Sequence, residues 1–159
     1  MAKPSLVDVS ALDLTKVLHG KDLIRRYCKQ RGRLEMLDGI VHEDLATGLV
    51  VGFQDVRADA WWTSDHIPGR PIFPGVLLAE GAAQLCSFDF LRRHPQHEGK
   101  FIGFAGLDST RFRGIVEPGV RLYWAGKEHR VRSSMFTYKA EGFVGDTLVF
   151  ETEVMGTVL

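Results

Sequence analysis

Residues Gly75 to Arg93 read GVLLAEGAAQLCSFDFLRR, and the organisation of the rest of the chain follows from this stretch. Val76, Leu77, Leu78, Ala79, Ala82, Ala83, Leu85, Cys86, Phe88, Phe90 and Leu91 fall on nearly every side of a helical repeat. A helix that is apolar all round belongs inside a core, not on a surface. The polar run of residues 94–100 ends it. Beyond that the chain is strand-rich, with strands expected over residues 101–107, 120–127, 131–143 and 147–155, and a hairpin turn at Gly145-Asp146. No helices separate these strands, so a parallel doubly wound sheet does not fit. The expected class is α+β, with an antiparallel sheet that wraps one long central helix to bury it.

Ahead of the helix, residues 12–33 carry apolar positions at roughly helical spacing, interrupted by Gly20, and predict one or two short helices. Residues 34–41 and 48–56 predict strands, the second with Leu49, Val51 and Phe53 on one face and Val50, Gly52 and Gln54 on the other. The chain has 159 residues with no repeats or linker-like runs, which predicts a single domain over 1–159. Its 20 basic and 20 acidic residues cancel, so nothing in the overall charge points to nucleic acid or an anionic membrane. Two cysteines, Cys28 and Cys86, make no disulfide framework and read as buried thiols. The N-terminus has no continuous apolar segment and nothing approaches the roughly 18 apolar residues of a membrane span, so a cytoplasmic protein is expected.

The chemistry concentrates in residues 66–80, HIPGRPIFPGVLLAE. Pro68, Gly69, Pro71 and Pro74 exclude regular structure over residues 64–74 and predict a well-defined loop that presents His66. Pro74 and Gly75 open the helix, and Glu80 stands about 7.5 Å along it. A carboxylate on so apolar a helix is costly unless it is paired or protonated, and a protonated carboxyl can donate. Taken singly, a loop histidine or a helical glutamate is most often unremarkable. Together, an imidazole, an opening helix with free N–H groups and a buried acid are the parts that general acid–base work on a carbonyl compound requires.

The segment from His66 to Glu80, followed by Ala83-Gln84, closely resembles the 3-hydroxyacyl-acyl carrier protein dehydratases of bacterial fatty acid synthesis. The block from Phe104 to Phe112, FAGLDSTRF, with Pro118-Gly119, is similar to that family's second conserved block, and the similarity runs from about Gly39 to the C-terminus. Asp65 and Ile67 stand where the family usually has Gly and Phe, and Asp65 is expected to bond nearby backbone. The resemblance implies a hotdog fold and a homodimer with one continuous sheet, often assembled further as a trimer of dimers. It implies that His66 removes the C2 proton of a (3R)-3-hydroxyacyl thioester, working with Glu80 of the partner subunit. Glu80 would protonate the departing hydroxyl or orient the water that leaves. The backbone N–H of Gly75, with Val76 beside it, would bind the thioester oxygen. The acyl chain would follow an apolar tunnel at the dimer interface, delivered on acyl carrier protein or coenzyme A, and no metal or organic cofactor is implied.

Two other functions stay open at this stage. A hotdog thioesterase would use Glu80 to activate water, with no need for a histidine at position 66. A non-catalytic acyl-binding paralogue would need neither residue. His94, His97 and Glu98 suggest a solvated turn more than a metal cluster, and His19, His42 and His129 show no recognisable partners. Arg92, Arg93, Lys100, Arg111, Arg113, Arg130 and Arg132 are candidates for a basic surface that meets an acidic carrier.

Overall fold

A computed structural model describes residues 5–159. Its strands are β1 (Gly39–Asp44), β2 (Leu49–Asp55), β3 (Ile102–Phe112), β4 (Arg121–Arg132), β5 (Met135–Val144) and β6 (Thr147–Val158). Its α-helices are α1 (Lys21–Tyr27), α2 (Trp62–Asp65) and α3 (Gly75–Arg93). The six strands form one sheet in the order β1-β2-β4-β5-β6-β3, every pairing antiparallel. The sheet curls around α3, the hotdog architecture. No helix among the described residues is long and apolar enough to cross a membrane.

The expected boundaries of α3 coincide with the observed ones. Its first and last turns aside, only Glu80 and Ser87 keep partial exposure. Trp124 on β4 ties the helix to the sheet: its indole N–H donates to the Leu78 carbonyl at 2.9 Å. The same ring lies flush on Gly81, where a Cβ would come within 2.3 to 2.7 Å of three indole atoms. Strand alternation divides the rest. Val50, Leu122 and Trp124 join the core around α3, whereas Val51, Phe53 and Ala125 form a second cluster away from it. Val7 and Val9 cover that second cluster, and the Ser5 hydroxyl and Leu6 N–H both donate to the Glu141 carboxylate that anchors this strap.

Several sequence expectations need correction. Residues 34–41 are not one strand: Gly32–Leu34 is a 3₁₀ turn, and β1 begins only at Gly39. Between them the Leu34 carbonyl and the Met36 N–H bond the Gln84 side chain of α3, and pairing with β2 starts at the Asp38 N–H, which donates to the Phe53 carbonyl at 2.8 Å. Residues 12–33, by contrast, hold one short α-helix of seven residues, within the one or two expected, flanked by 3₁₀ turns. Trp62–Asp65 makes one helical turn that runs into the expected loop. β3 continues to Phe112, and its burial lacks the period of two because its register shifts twice. The turn before β5 falls at Ser133 and Ser134, with Ser133 at a φ of 52° and no Gly, Asn or Asp to mark it.

One buried acid on α3 had no sequence reading. Asp89 is fully buried, accepts the Tyr138 hydroxyl at 2.6 Å on Oδ2, and has no hydrogen-bond partner at Oδ1. Arg93 stands 3.9 Å away but lies nearer Glu128, at 2.8 Å. Burial raises the Asp89 carboxyl to about 6; the Tyr138 hydrogen bond and the Arg93 charge oppose this, and the Glu128 and Glu43 charges add to it.

Two outcomes follow from this packing. Gly81→Ala is expected to destabilise the fold by about 1 to 3 kcal/mol through overlap with Trp124, although helix propensity alone would favour Ala by about 1 kcal/mol. Urea unfolding checks the sign, and an unchanged or raised midpoint would contradict the close contact. For Asp89, an acid raised in the folded state stabilises at low pH and loses that contribution as pH rises through its unfolded and then folded pKa. The ceiling is about 3 kcal/mol for a rise from 3.8 to about 6. The stability of wild type minus that of Asp89→Asn should therefore grow as pH falls from about 7.5 to about 4.5. A difference independent of pH would mean that Asp89 is not buried with its charge.

Candidate active site

His66 sits at the end of the short helix α2, its N–H bonded to the Trp62 carbonyl at 2.9 Å. Trp62 is buried edge-on against Phe73 at 5.3 Å, and Phe73 in turn bonds the Val116 carbonyl through its N–H at 2.8 Å. These contacts hold both ends of the proline-rich loop to the core. The His66 ring lies exposed, with Nδ1 3.0 Å from the Ile72 carbonyl. A carbonyl can only accept, so Nδ1 carries the hydrogen and Nε2 of the neutral ring keeps its lone pair. Nε2 has no partner among the described residues. The ring is set up to take a proton.

The loop ends at the N-terminus of α3. Pro74 offers no side-chain cap, and the Leu77 and Leu78 N–H groups turn back to its carbonyl at 2.9 and 3.3 Å. The N–H groups of Gly75 and Val76 are left without an acceptor among the described residues, at the positive end of a nineteen-residue helix. Phe112 on β3 packs against this point, and a Cβ at Gly75 would meet its ring at 3.0 Å. Glycine therefore lets the Phe112 ring pack directly on the helix opening. Val76 itself is 75% exposed, the most exposed large apolar residue described.

Glu80 lies on the second turn, half-buried where full burial was expected. Its Oε1 accepts a 2.7 Å hydrogen bond from Nε2 of Gln84. It faces a groove of about 90 Å³ lined by Ala83, Ser87, Phe104, Phe136 and Met155. Glu80, Ala83 and Ser87 share one helix face, so the groove follows α3 for about 10 Å. Gln30, Ser87 and Ile102 also line a neighbouring cavity of about 260 Å³, which Tyr27, Cys28, Lys29, Lys100 and Phe101 complete. Ser87, two turns along α3 from Glu80, thus lines both cavities.

The sequence-predicted residues are not all brought together. Gly75 and Val76 stand at the helix opening beside the loop that carries His66, whereas Glu80 opens onto a groove that His66 does not line. Gln84 enters the sequence reading only through the Ala83-Gln84 pair of the resemblance; its position four residues after Glu80 on an apolar helix is the signal that the two side chains can meet. Of the basic candidates, Arg92 is paired with Glu43, Arg93 with Glu128 and Arg113 with Glu151, which removes them from a free basic patch. His94 pairs with Glu128 at 2.7 Å, Glu98 with Arg26, and His19, expected to be alone, with Glu43 at 3.0 Å. Asp65 accepts the Ser64 hydroxyl, not a backbone N–H. Both cysteines are buried and free, and burial pushes the Cys28 thiol up to about 12.

Residues 29–153 match the FabA-like domain family. The 3-hydroxyacyl-[acyl-carrier-protein] dehydratase FabZ of Syntrophobacter fumaroxidans is 34% identical over 135 residues, 85% of this chain and 90% of that protein. The FabZ dehydratase of Campylobacter jejuni strain 81-176 is 32% identical over 114 residues, 70% of this chain and 78% of that protein. Among solved structures, the dehydratase heterocomplex ApeI:P from Xenorhabdus doucetiae superposes with a TM-score of 0.70 at 14% identity, covering 86% of this chain and 90% of that one. Cj0977, a sigma28-regulated virulence protein from Campylobacter jejuni, gives 0.63 at 12% identity, covering 87% and 89%. At such identities the likeness is one of fold alone.

Proposed function

Because the chain belongs to the FabA-like family of 3-hydroxyacyl-acyl carrier protein dehydratases, we propose that it removes water from (3R)-3-hydroxyacyl thioesters on acyl carrier protein, giving trans-2-enoyl thioesters for fatty acid synthesis. The observation that carries this reading is the bond from His66 Nδ1 to the Ile72 carbonyl, which leaves Nε2 as a base on the loop that leads into α3. Nε2 takes the proton from C2, and that electron pair forms the C2–C3 double bond. The 3-hydroxyl departs from C3 with a proton from Glu80, as water. Negative charge that develops on the thioester oxygen meets the N–H groups of Gly75 and Val76, where the helix dipole favours it. The acyl chain lies along the groove that starts at Glu80.

Two facts support a site shared between two copies. His66 does not line the groove of Glu80 in one chain. β3 is an eleven-residue edge strand paired only with β6, and it leaves Phe104 53% and Phe112 58% exposed. A bare edge of that length with apolar side chains is a surface that proteins cover. A second copy pairing β3 with β3 makes the sheet continuous and brings His66 of one subunit to Glu80 of the other.

The reaction is tested by following enoyl absorbance and free thiol together on 3-hydroxyacyl thioesters. Enoyl formation without thiol release is expected, and His66→Ala should lower it by about 10² to 10⁴ while the fold persists. Thiol release would instead mark a thioesterase, and neither signal would mark an acyl-binding protein. For the shared site, His66→Ala and Glu80→Gln dimers, each nearly inactive, are unfolded and refolded together. Half of a random mixture is mixed dimers with one intact site in two, so about a quarter of wild-type activity should return. Recovery no greater than the mean of the two controls would place both residues in one subunit.

A further inference from the structure

Gln84 is 2% exposed on a helix otherwise apolar around it, and its amide makes three hydrogen bonds. Oε1 accepts the Met36 N–H at 3.0 Å, while Nε2 donates to the Leu34 carbonyl at 2.7 Å and to Glu80 Oε1 at 2.7 Å. The first two partners dictate the orientation of the amide. The Met36 N–H can only donate and the Leu34 carbonyl can only accept, so a flipped amide would set like against like at two buried contacts. The second N–H is thereby aimed at Glu80 by the backbone of another segment. That segment is itself held to α1 by ion pairs of Glu35 with Arg25 and Asp38 with Lys21.

We infer that Gln84 is a positioning residue: it occupies Oε1 of Glu80 with a fixed N–H, so that Oε2 alone faces the groove and carries the proton transferred to the substrate. This rests on the reading of Glu80 as the acid. A carboxyl oxygen that accepts a hydrogen bond from an amide held in place has that direction taken, and Oε2 has no partner among the described residues. The groove lined by Ala83, Phe104 and Met155 begins at the same side chain. Without the bracket, Glu80 keeps its place on the helix but its carboxyl rotates freely, and both oxygens exchange roles.

The test is a cycle of Gln84→Met, Glu80→Gln and the double variant, with kcat and KM measured on a 3-hydroxyacyl thioester. Gln84→Met is expected to lower kcat roughly ten- to a hundredfold, the scale for a reacting group misplaced by about 1 Å, with KM little changed. In the Glu80→Gln background the same substitution should cause no further loss, because nothing remains to be positioned. A Gln84→Met protein with wild-type kcat and only a lowered melting temperature would overturn the inference, leaving Gln84 as a structural clip. An equal fall in both backgrounds would overturn it as well. If Glu80→Gln alone keeps wild-type activity, it is the reading of Glu80 that fails. Should Gln84→Met not fold, Gln84→Glu keeps the shape and the Met36 contact but has at most one proton for two acceptors. It should show the same loss of kcat, and unchanged turnover would again refute the bracket.

Discussion

Burying α3 on every side forces two requirements on the chain: the sheet must curl around it, and each polar group carried inward must find a partner. Trp124 meets both at once, lying on Gly81 while its indole N–H takes the Leu78 carbonyl. Asp89 is met by Tyr138, with one oxygen left over. Gln84 is met by backbone groups of Leu34 and Met36, which in turn stops that segment from becoming a strand. The irregular stretch before β1 is therefore a consequence of what the helix carries. Its residues Met36 and Leu37 are buried in the core around α3.

The wrapping is incomplete along one stripe, and the candidate chemistry lies there. Glu80 and Ser87 keep partial exposure because β3 stands at the sheet edge over that face of α3. The other half of the proposed machinery is fixed differently. His66 and the open N–H groups of Gly75 and Val76 are set by loop bonds, with Trp62 and Phe73 as anchors in the core. Rigid placement matters because donors and bases aimed in advance cost no reorganisation when charge develops. The proposed acid thus lies on the uncovered stripe and the proposed base outside that groove, the arrangement from which the two-copy reading starts.

Sequence patterns alone delimited α3 from end to end, assigned the alternating faces of β2, and drew attention to His66 and Glu80, while Gly75 and Val76 were candidates only through the family resemblance. Those features are local: a helix apolar all round, strict alternation, and proline breakers at short spacing are each read within a dozen residues. The class followed too, because a wholly apolar helix before a run of strands leaves little choice but a sheet wrapped around it. Only the tertiary structure decided the rest. The length of β3 was hidden by register shifts, the turn at Ser133 by the lack of a turn residue, and the course of residues 34–36 by hydrogen bonds to a side chain nearly fifty positions away. The partial burial of Glu80 and the grip of Gln84 belong to the same group. Periodicity tells a residue which way to face, but which atom it meets there depends on elements distant in sequence.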